Sequence, residues 1–163
     1  MKKPLILVVD DNKITTKLLK RYLESNGFES LEAYDGIECL EKVELQKPDA
    51  IVLDVMMPRL DGYETAKRLK SQEHTKHIPV VIVTALNDLA NQIKSIESGA
   101  DDFLSKPIEE KLFIAKAKLL SSISIEKKKS AILSKIIINA IEGKIDLKGQ
   151  SFTDLLIKEG FTE

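Results

Sequence analysis

Short runs of consecutive apolar residues alternate with segments whose apolar residues recur every three or four positions, from residue 4 to about residue 122. Leu5-Ile6-Leu7-Val8-Val9, Ala50-Ile51-Val52-Leu53 and Val80-Val81-Ile82-Val83 are continuous and rich in β-branched residues. Runs of this kind predict strands buried on both faces of a parallel sheet. Five strands are expected, over residues 5–9, 28–33, 49–53, 79–83 and 102–105. Pro79 takes the first position of the fourth, where a proline is tolerated. Ile14, Leu18 and Tyr22, with Leu19 and Leu23, make a first helical stripe, stopped by Asn26-Gly27. Asp35-Gly36-Ile37-Glu38 reads as a capping box opening a second helix, which carries Ile37, Leu40 and Val43 and ends before Pro48. A third helix follows Asp61-Gly62 and runs to about Gln72. Asp88 is placed to cap a fourth, in which Leu89, Ile93 and Ile96 align before Gly99. A fifth begins near Glu109, after Lys106-Pro107. The alternation predicts βαβ units with right-handed crossovers, hence an α/β fold with a doubly wound five-stranded parallel sheet.

The pattern changes at about Ser121, where strand signals stop. Ile132, Leu133, Ile136, Ile137, Ala140 and Ile141 form an apolar face at helical spacing, preceded by Glu126-Lys127-Lys128-Lys129, which reads as a solvated face. Gly143 breaks the pattern, Gly149 marks another turn, and residues 151–158 fit a short last helix with Phe152, Leu155 and Leu156 on one side. Residues 1–122 are therefore expected to form the α/β domain and residues 123–163 a helical tail. The tail's apolar face leaves three arrangements open: packing back on the domain, extension of the last helix, or pairing with a second copy as a homodimer. Two helical turns are too few to define a coiled coil.

Composition narrows the function classes. With 43% apolar residues in 163, a sizeable core can form. A formal net charge of −1 gives no electrostatic reason to expect nucleic acid as a partner. Cys39 is the single cysteine, so an internal disulfide and a cysteine-based zinc site are excluded, and it is expected to be a small buried hydrophobe. No apolar stretch reaches the ~20 residues that span a bilayer. Met1-Lys2-Lys3-Pro4 leads into the first strand without a cleavage site, so the expected location is the cytoplasm, with no membrane partner. His74 and His77 are expected to be exposed loop residues, and Asp101 and Asp102 solvated charges at the start of the fifth strand.

The chemistry lies at the strands' carboxyl ends, the edge where open α/β sheets bind ligands. The first strand delivers Asp10 and Asp11, the third Asp54, the fourth Thr84 followed by the small Ala85, and the fifth Lys106. Converging carboxylates repel unless a cation lies among them, and hard oxygen donors favour magnesium. Two acidic metal ligands, a third carboxylate able to act as nucleophile, a hydroxyl donor and a cation suit phosphoryl transfer to an aspartate. Asp54 would attack phosphorus, Mg2+ would bridge Asp11, Asp54 and a phosphoryl oxygen, and Lys106 and Thr84 would hold the other oxygens.

The motifs Val8-Val9-Asp10-Asp11-Asn12, Leu53-Asp54-Val55-Met56-Met57-Pro58 with Asp61-Gly62, Val83-Thr84-Ala85, and the stretch from Gly99-Ala100-Asp101 to Ser105-Lys106-Pro107 resemble the receiver domain of two-component response regulators. The resemblance covers residues 4 to 122. Within the family, the stretch from Val83 to Ile108 looks most like the first receiver of PleD-type regulators, which join receivers to a diguanylate cyclase. The family resemblance implies a flavodoxin-like (βα)5 fold, Asp54 as phosphoacceptor, and Asp10 and Asp11 with the Met56 backbone carbonyl around magnesium. It also implies Thr84 and Lys106 as phosphate-sensing residues, Phe103 as the aromatic that turns inward after Thr84, and a cis Lys106–Pro107 bond. The implied partner is a histidine kinase or histidine phosphotransfer protein. Met56 and Leu86 occupy the two positions that tune phosphoryl lifetime in this family; both are apolar and cannot orient water, which implies slow self-dephosphorylation.

Three other readings remain in view. One is the receiver portion of a PleD-type regulator without its output domain, because no Gly-Gly-Asp/Glu-Glu-Phe signature occurs in the sequence. Another is a phosphate-independent adaptor that keeps the pocket as a scaffold. The third is an enzyme of the aspartyl-phosphate hydrolase type. Those enzymes place a second acid two residues after the nucleophile, where this chain has Met56, so enzyme turnover is not expected.

Overall fold

The structure, a computed structural model, describes residues 3–85, 89–142 and 151–158. The chain divides into two compact units, Lys3–Ser124 and a second that begins at Ile125.

In the first unit strands and helices alternate: β1 (Leu5–Val9), α1 (Lys13–Ser25), β2 (Glu29–Ala33), α2 (Gly36–Leu45), β3 (Ala50–Asp54), α3 (Gly62–Ser71), β4 (Val80–Thr84), α4 (Leu89–Glu97), β5 (Asp102–Ser105) and the start of α5 (Glu110–Ile141). All pairings are parallel, in the order β2-β1-β3-β4-β5. The uniformly apolar runs form the three central strands, where every residue is buried. Strand periodicity of two sorts their side chains into two layers. Ile6, Val8, Val52, Val81, Val83 and Leu104 pack with Leu19 and Leu23 of α1 and Phe113 and Ala117 of α5. Leu7, Val9, Ile51, Leu53 and Ile82 pack with Cys39 and Val43 of α2 and Ala66 and Leu69 of α3. A Leu or Ile buried this completely contributes roughly 1.5–3 kcal/mol. The strand order reverses between β1 and β3, so the crevice at the topological switch point opens beside Asp10 and Asp54.

Several boundaries and faces differ from the sequence pattern. β3 and β4 each extend one residue beyond the apolar run, so Asp54 and Thr84 are the last residues of their strands, in register with Val83 and Ser105. β2 begins at Glu29 because the Phe28 amide turns back to the Leu23 carbonyl at 3.1 Å as the chain leaves α1. α3 ends at Ser71 and α5 begins at Glu110. The buried stripe of α1 is Thr16, Leu19 and Leu23, while Ile14 and Leu18 face solvent. Thr16 tolerates burial because its hydroxyl donates to the carbonyls of Asp10 and Asn12. α4 departs from the expected face at Ile93 and Ile96, while the Leu89 side chain lies outside the described residues. Asn91, Ser95 and, just past the helix, Ser98 are buried, whereas Ile93 and Ile96 are 45% and 71% exposed. The serine hydroxyls donate to helix carbonyls, at Asn91 and Ser95, and the Tyr63 hydroxyl reaches Asn91, so polar groups can line the inner side. The proposed cap Asp88 lies outside the described residues.

Polar groups were also more engaged than expected. Asp101 and Asp102 are ion-paired: Asp101 Oδ2 accepts from Lys70 Nζ at 2.6 Å and from the Val80 amide at 2.8 Å, and Asp102 pairs with Lys116. His74 meets Glu44 on the surface. Cys39 is fully buried, and burial pushes its thiol up to about 12. Among the described residues no helix is long and apolar enough to cross a membrane.

α5 continues unbroken through Ser121 for 32 residues, which is the extension option of the three. In the second unit its Ile136 is buried with Leu155 and Leu156 of α6 (Phe152–Lys158), and Ile132 and Leu133 pack against them. Ile137 and Ile141 of the expected apolar face remain exposed. The Ser151 hydroxyl and the Asp154 amide and carboxylate bond at the start of α6. The turns expected at Gly143 and Gly149, and the Phe152 side chain, lie outside the described residues.

Asp35 caps α2, accepting from the Ile37 and Glu38 amides. Glu38 reaches back not to the Asp35 amide but to that of Tyr34, at 2.8 Å, and pairs with Lys42 at 2.7 Å. Burial opposes ionisation of Glu38, but the Lys42 and Tyr34 contacts outweigh it and hold the carboxyl below its ordinary range. A carboxyl lowered on folding adds stability above its unfolded pKa and loses that contribution as pH falls through the folded value. Glu38→Gln is therefore expected to flatten the acid side of the stability curve slightly, by about 0.5 kcal/mol as for other exposed pairs. Urea midpoints measured from neutral to acidic pH check this, and parallel curves for the two proteins would contradict it.

Candidate functional site

Each strand's end places its polar side chain by backbone contacts. Asp10 follows β1; its amide donates to Ala33 and its Oδ1 accepts the Asn12 amide at 2.8 Å. Asn12 in turn caps α1, with Oδ1 accepting from the Ile14 and Thr15 amides. Asp54 closes β3, and its Oδ2 accepts the Met56 amide at 3.0 Å. Lys106 follows β5, held by its amide's bond to the Thr84 carbonyl at 2.8 Å and by a cis Lys106–Pro107 peptide. Its Nζ lies 2.6 Å from Asp54 Oδ1 and 3.2 Å from Asp10 Oδ2. Lys106 thus spans the crevice from the sheet's fifth strand to its first.

Carboxylate oxygens of Asp10, Asp11 and Asp54 all lie within 4.8 Å of one another. Asp10 and Asp54 are buried and Asp11 is exposed, so the cluster is closed below and open above. Burial pushes the Asp54 carboxyl up; Lys106 and the Met56 amide pull against this, and Asp10 adds repulsion, leaving a net rise. Burial disfavours the Lys106 charge, but Asp54 and Asp10 reverse that and raise it. Three carboxylates face one ammonium, so negative charge is in excess. Hard oxygen donors with excess negative charge fit a divalent cation.

Thr84 is buried at the end of β4, beside β5 in register with Ser105. Phe103 is partly buried against the α2–α3 layer, opposite Ile82. The Met56 side chain points outward, 73% exposed. Leu86 lies outside the described residues. Asp10, Asp11, Asp54 and Lys106 are thus brought together, with Thr84 at the next strand end. Two contributors were not singled out from sequence. Asn12 fixes Asp10, and its place between a strand and a helical stripe was an available N-cap signal. Arg59 adopts a left-handed backbone, φ 66°, and pairs with Asp35; nothing in the local pattern announces either. Gly62 is required by space: a methyl group there would lie 2.2 Å from the Asp54 carbonyl oxygen.

Comparisons with known proteins agree on one family. The response regulator receiver domain is matched over residues 6–118. The chain is 42% identical over 116 residues to the response regulator PleD of Caulobacter vibrioides, covering 71% of this chain and 26% of PleD. It is 40% identical over 115 residues to the response regulator MprA of Mycobacterium ulcerans, covering 71% of this chain and 49% of MprA. The chain therefore spans about a quarter to a half of these relatives' length. Among solved structures, the receiver domain of Francisella response regulator 1452 superposes with a TM-score of 0.70 at 37% identity, covering 74% of this chain and 98% of that one.

The close approach at Gly62 makes a direct test. Gly62→Ala must push the α3 N-terminus away from β3 and is expected to cost about 1–3 kcal/mol in urea unfolding. It should also shift the amide resonances of Asp54 and Val55. Wild-type stability with unmoved resonances would contradict the packing described.

Proposed function

We propose, given that this chain belongs to the response regulator receiver domain family, that it is a phosphorylation-dependent switch of a two-component system with Asp54 as phosphoacceptor. The observation that carries the reading is the contact of Asp54 with Lys106 at 2.6 Å inside a cluster of three carboxylates at the sheet's switch point. The donor is a phosphohistidine on a histidine kinase or histidine phosphotransfer protein. An Asp54 carboxylate oxygen bonds to phosphorus as the P–N bond breaks, and the donor ring nitrogen keeps the bonding pair and takes up a proton.

The surrounding residues position and neutralise. Lys106 Nζ balances charge on an oxygen of the transferred group, and the Thr84 hydroxyl donates to another. The Met56 amide holds the second Asp54 oxygen and so orients the first. Magnesium would be held by Asp10, Asp11, Asp54 and the Met56 backbone carbonyl, and when bound it neutralises charge on the phosphoryl oxygens. Transfer of this kind is almost entirely positioning plus electrostatic stabilisation.

The new charge draws Thr84 toward the phosphate, Phe103 follows inward, and the face of α4, β5 and α5 changes its partner-binding shape. α4 suits such a shift, because among its described side chains the buried ones are the polar Asn91 and Ser95, followed by Ser98, so little apolar burial of these residues opposes its movement. We assign the switch to residues 1–122, acting in the cytoplasm, and no step of it to the helical tail 123–163. The adduct is stoichiometric; no substrate is turned over.

With acetyl phosphate and magnesium, intact mass spectrometry is expected to find one phosphoryl group per chain, absent from Asp54→Asn and prevented by chelation of the metal. Turnover of many equivalents of acetyl phosphate without an adduct would instead mark a phosphatase. Because Met56 and Leu86 are apolar, phospho-Asp54 is expected to decay far more slowly than on a scale of seconds. Loss of label from the radiolabelled protein within seconds would refute this.

A further inference from the structure

We infer that Asp35 and Arg59 form a clamp that holds the loop between β3 and α3, and with it the Met56 carbonyl, in the shape the metal pocket requires. This rests on reading the pocket as a magnesium site.

Three observations converge on the loop, residues 55–61. Arg59 is in the left-handed region at φ 66°, the one described non-glycine residue with a positive φ. An L side chain there persists only where surrounding contacts over-determine it. The contact is an ion pair from the Arg59 guanidinium to Asp35 Oδ2. Arg59 is largely exposed, with 58% of its side chain accessible, so burial does not anchor it; the Asp35 side chain is 6% accessible. Finally, the loop lies directly on the first residue of α2. A methyl group on Gly36 would sit 2.8 Å from the Leu60 carbonyl oxygen and 3.0 Å from Leu60 Cβ.

The division of labour within Asp35 separates this clamp from ordinary capping. Oδ1 alone satisfies the helix, accepting from the Ile37 and Glu38 amides at 2.9 and 3.0 Å. Oδ2 is left over, and it goes to the loop. From Arg59 the chain reaches Met56 through Met57 and Pro58, whose fixed φ transmits position rather than absorbing it. At its ends the loop is tied by the Val55 amide to the Val83 carbonyl of β4 at 3.1 Å and by Asp61 to the start of α3; within it the Met56 amide meets Asp54, the Leu60 amide the Pro58 carbonyl at 2.8 Å, and the Gly62 amide the Val55 carbonyl at 3.0 Å. Among these bonds, only the Asp35–Arg59 pair ties the middle of the loop to a different element. Arg59 and Asp35 are thus positioning residues, acting on a ligand without touching the cation.

Asp35→Asn keeps the capping oxygen and replaces the oxygen facing Arg59 by a donor. Arg59→Gly removes the pair while relieving the backbone, so it tests the contact and not the strain. Arg59→Lys keeps the charge and serves as the conservative rescue. Two measurements apply: hydrogen exchange of the loop amides without metal, and magnesium affinity from amide resonance titration. Asp35→Asn and Arg59→Gly are expected to speed loop exchange, leave β1 and β4 amides unchanged, and weaken magnesium binding about tenfold, as for other partners that orient a ligand. Arg59→Lys should recover most of the affinity. Unchanged loop exchange in both variants overturns the clamp whatever the metal does. Faster exchange with wild-type magnesium affinity overturns its role for Met56. A wild-type protein that binds no magnesium overturns the reading of the pocket as well, and the metal-free exchange data distinguish that failure from a failure of the clamp.

Discussion

Holding Asp10, Asp11 and Asp54 together against their mutual repulsion is the constraint on which the rest of this structure depends. Left in water, three carboxylates would separate. Here two of them are fixed at the ends of adjacent, fully buried strands, β1 and β3, whose ladder cannot be parted without exposing the core. Lys106 supplies the only cationic contact described for them, reaching both Asp10 and Asp54. Negative charge remains in excess, and that excess fits the crevice to a divalent cation.

The fold divides its stability accordingly. The central strands and the helices α1, α2, α3 and the start of α5 carry two apolar layers. The amino-terminal edge of the sheet is closed by Lys70, which donates to the Lys76 and Ile78 carbonyls and to Asp101. The opposite edge keeps its polar groups partly open. Among its described side chains, α4 buries Asn91 and Ser95, whose polar groups bond to Tyr63 of α3 and to the helix's own backbone. Stability is concentrated where the carboxylates need a rigid base and withheld where the proposed switch needs movement.

How much of this the sequence disclosed follows from the physics of each signal. Short continuous apolar runs rich in β-branched residues and bounded by turn signals fit strands covered on both faces, and the central strands with Asp10, Asp54 and Thr84 at their ends were legible for that reason. Helix faces were less so. In α1, Leu19, Leu23 and Tyr22 of the stripe do pack on the core, but Ile14 and Leu18, like Ile93 and Ile96 of α4, face outward, and Thr16, Ser95 and Ser98 are buried instead because their hydroxyls are satisfied on nearby carbonyls, which hydropathy does not register. Asp101 and Asp102 looked like solvated charges because their partners, Lys70 and Lys116, lie far away in sequence. Arg59 was silent for the same reason: its partner Asp35 is twenty-four residues upstream, and a left-handed arginine leaves no mark on local composition.

Helix α4 bears on attempts to make this protein hardier. Routine stabilisation would fill its inner side with leucine or valine and trim the outward isoleucines Ile93 and Ile96. Such a redesign would weld α4 to the sheet. The melting temperature would rise while the gap between resting and activated conformations widened beyond what one covalent charge can bridge. If α4 moves as proposed, tolerance to heat and sensitivity to signal would be traded at Asn91, Ser95 and Ser98.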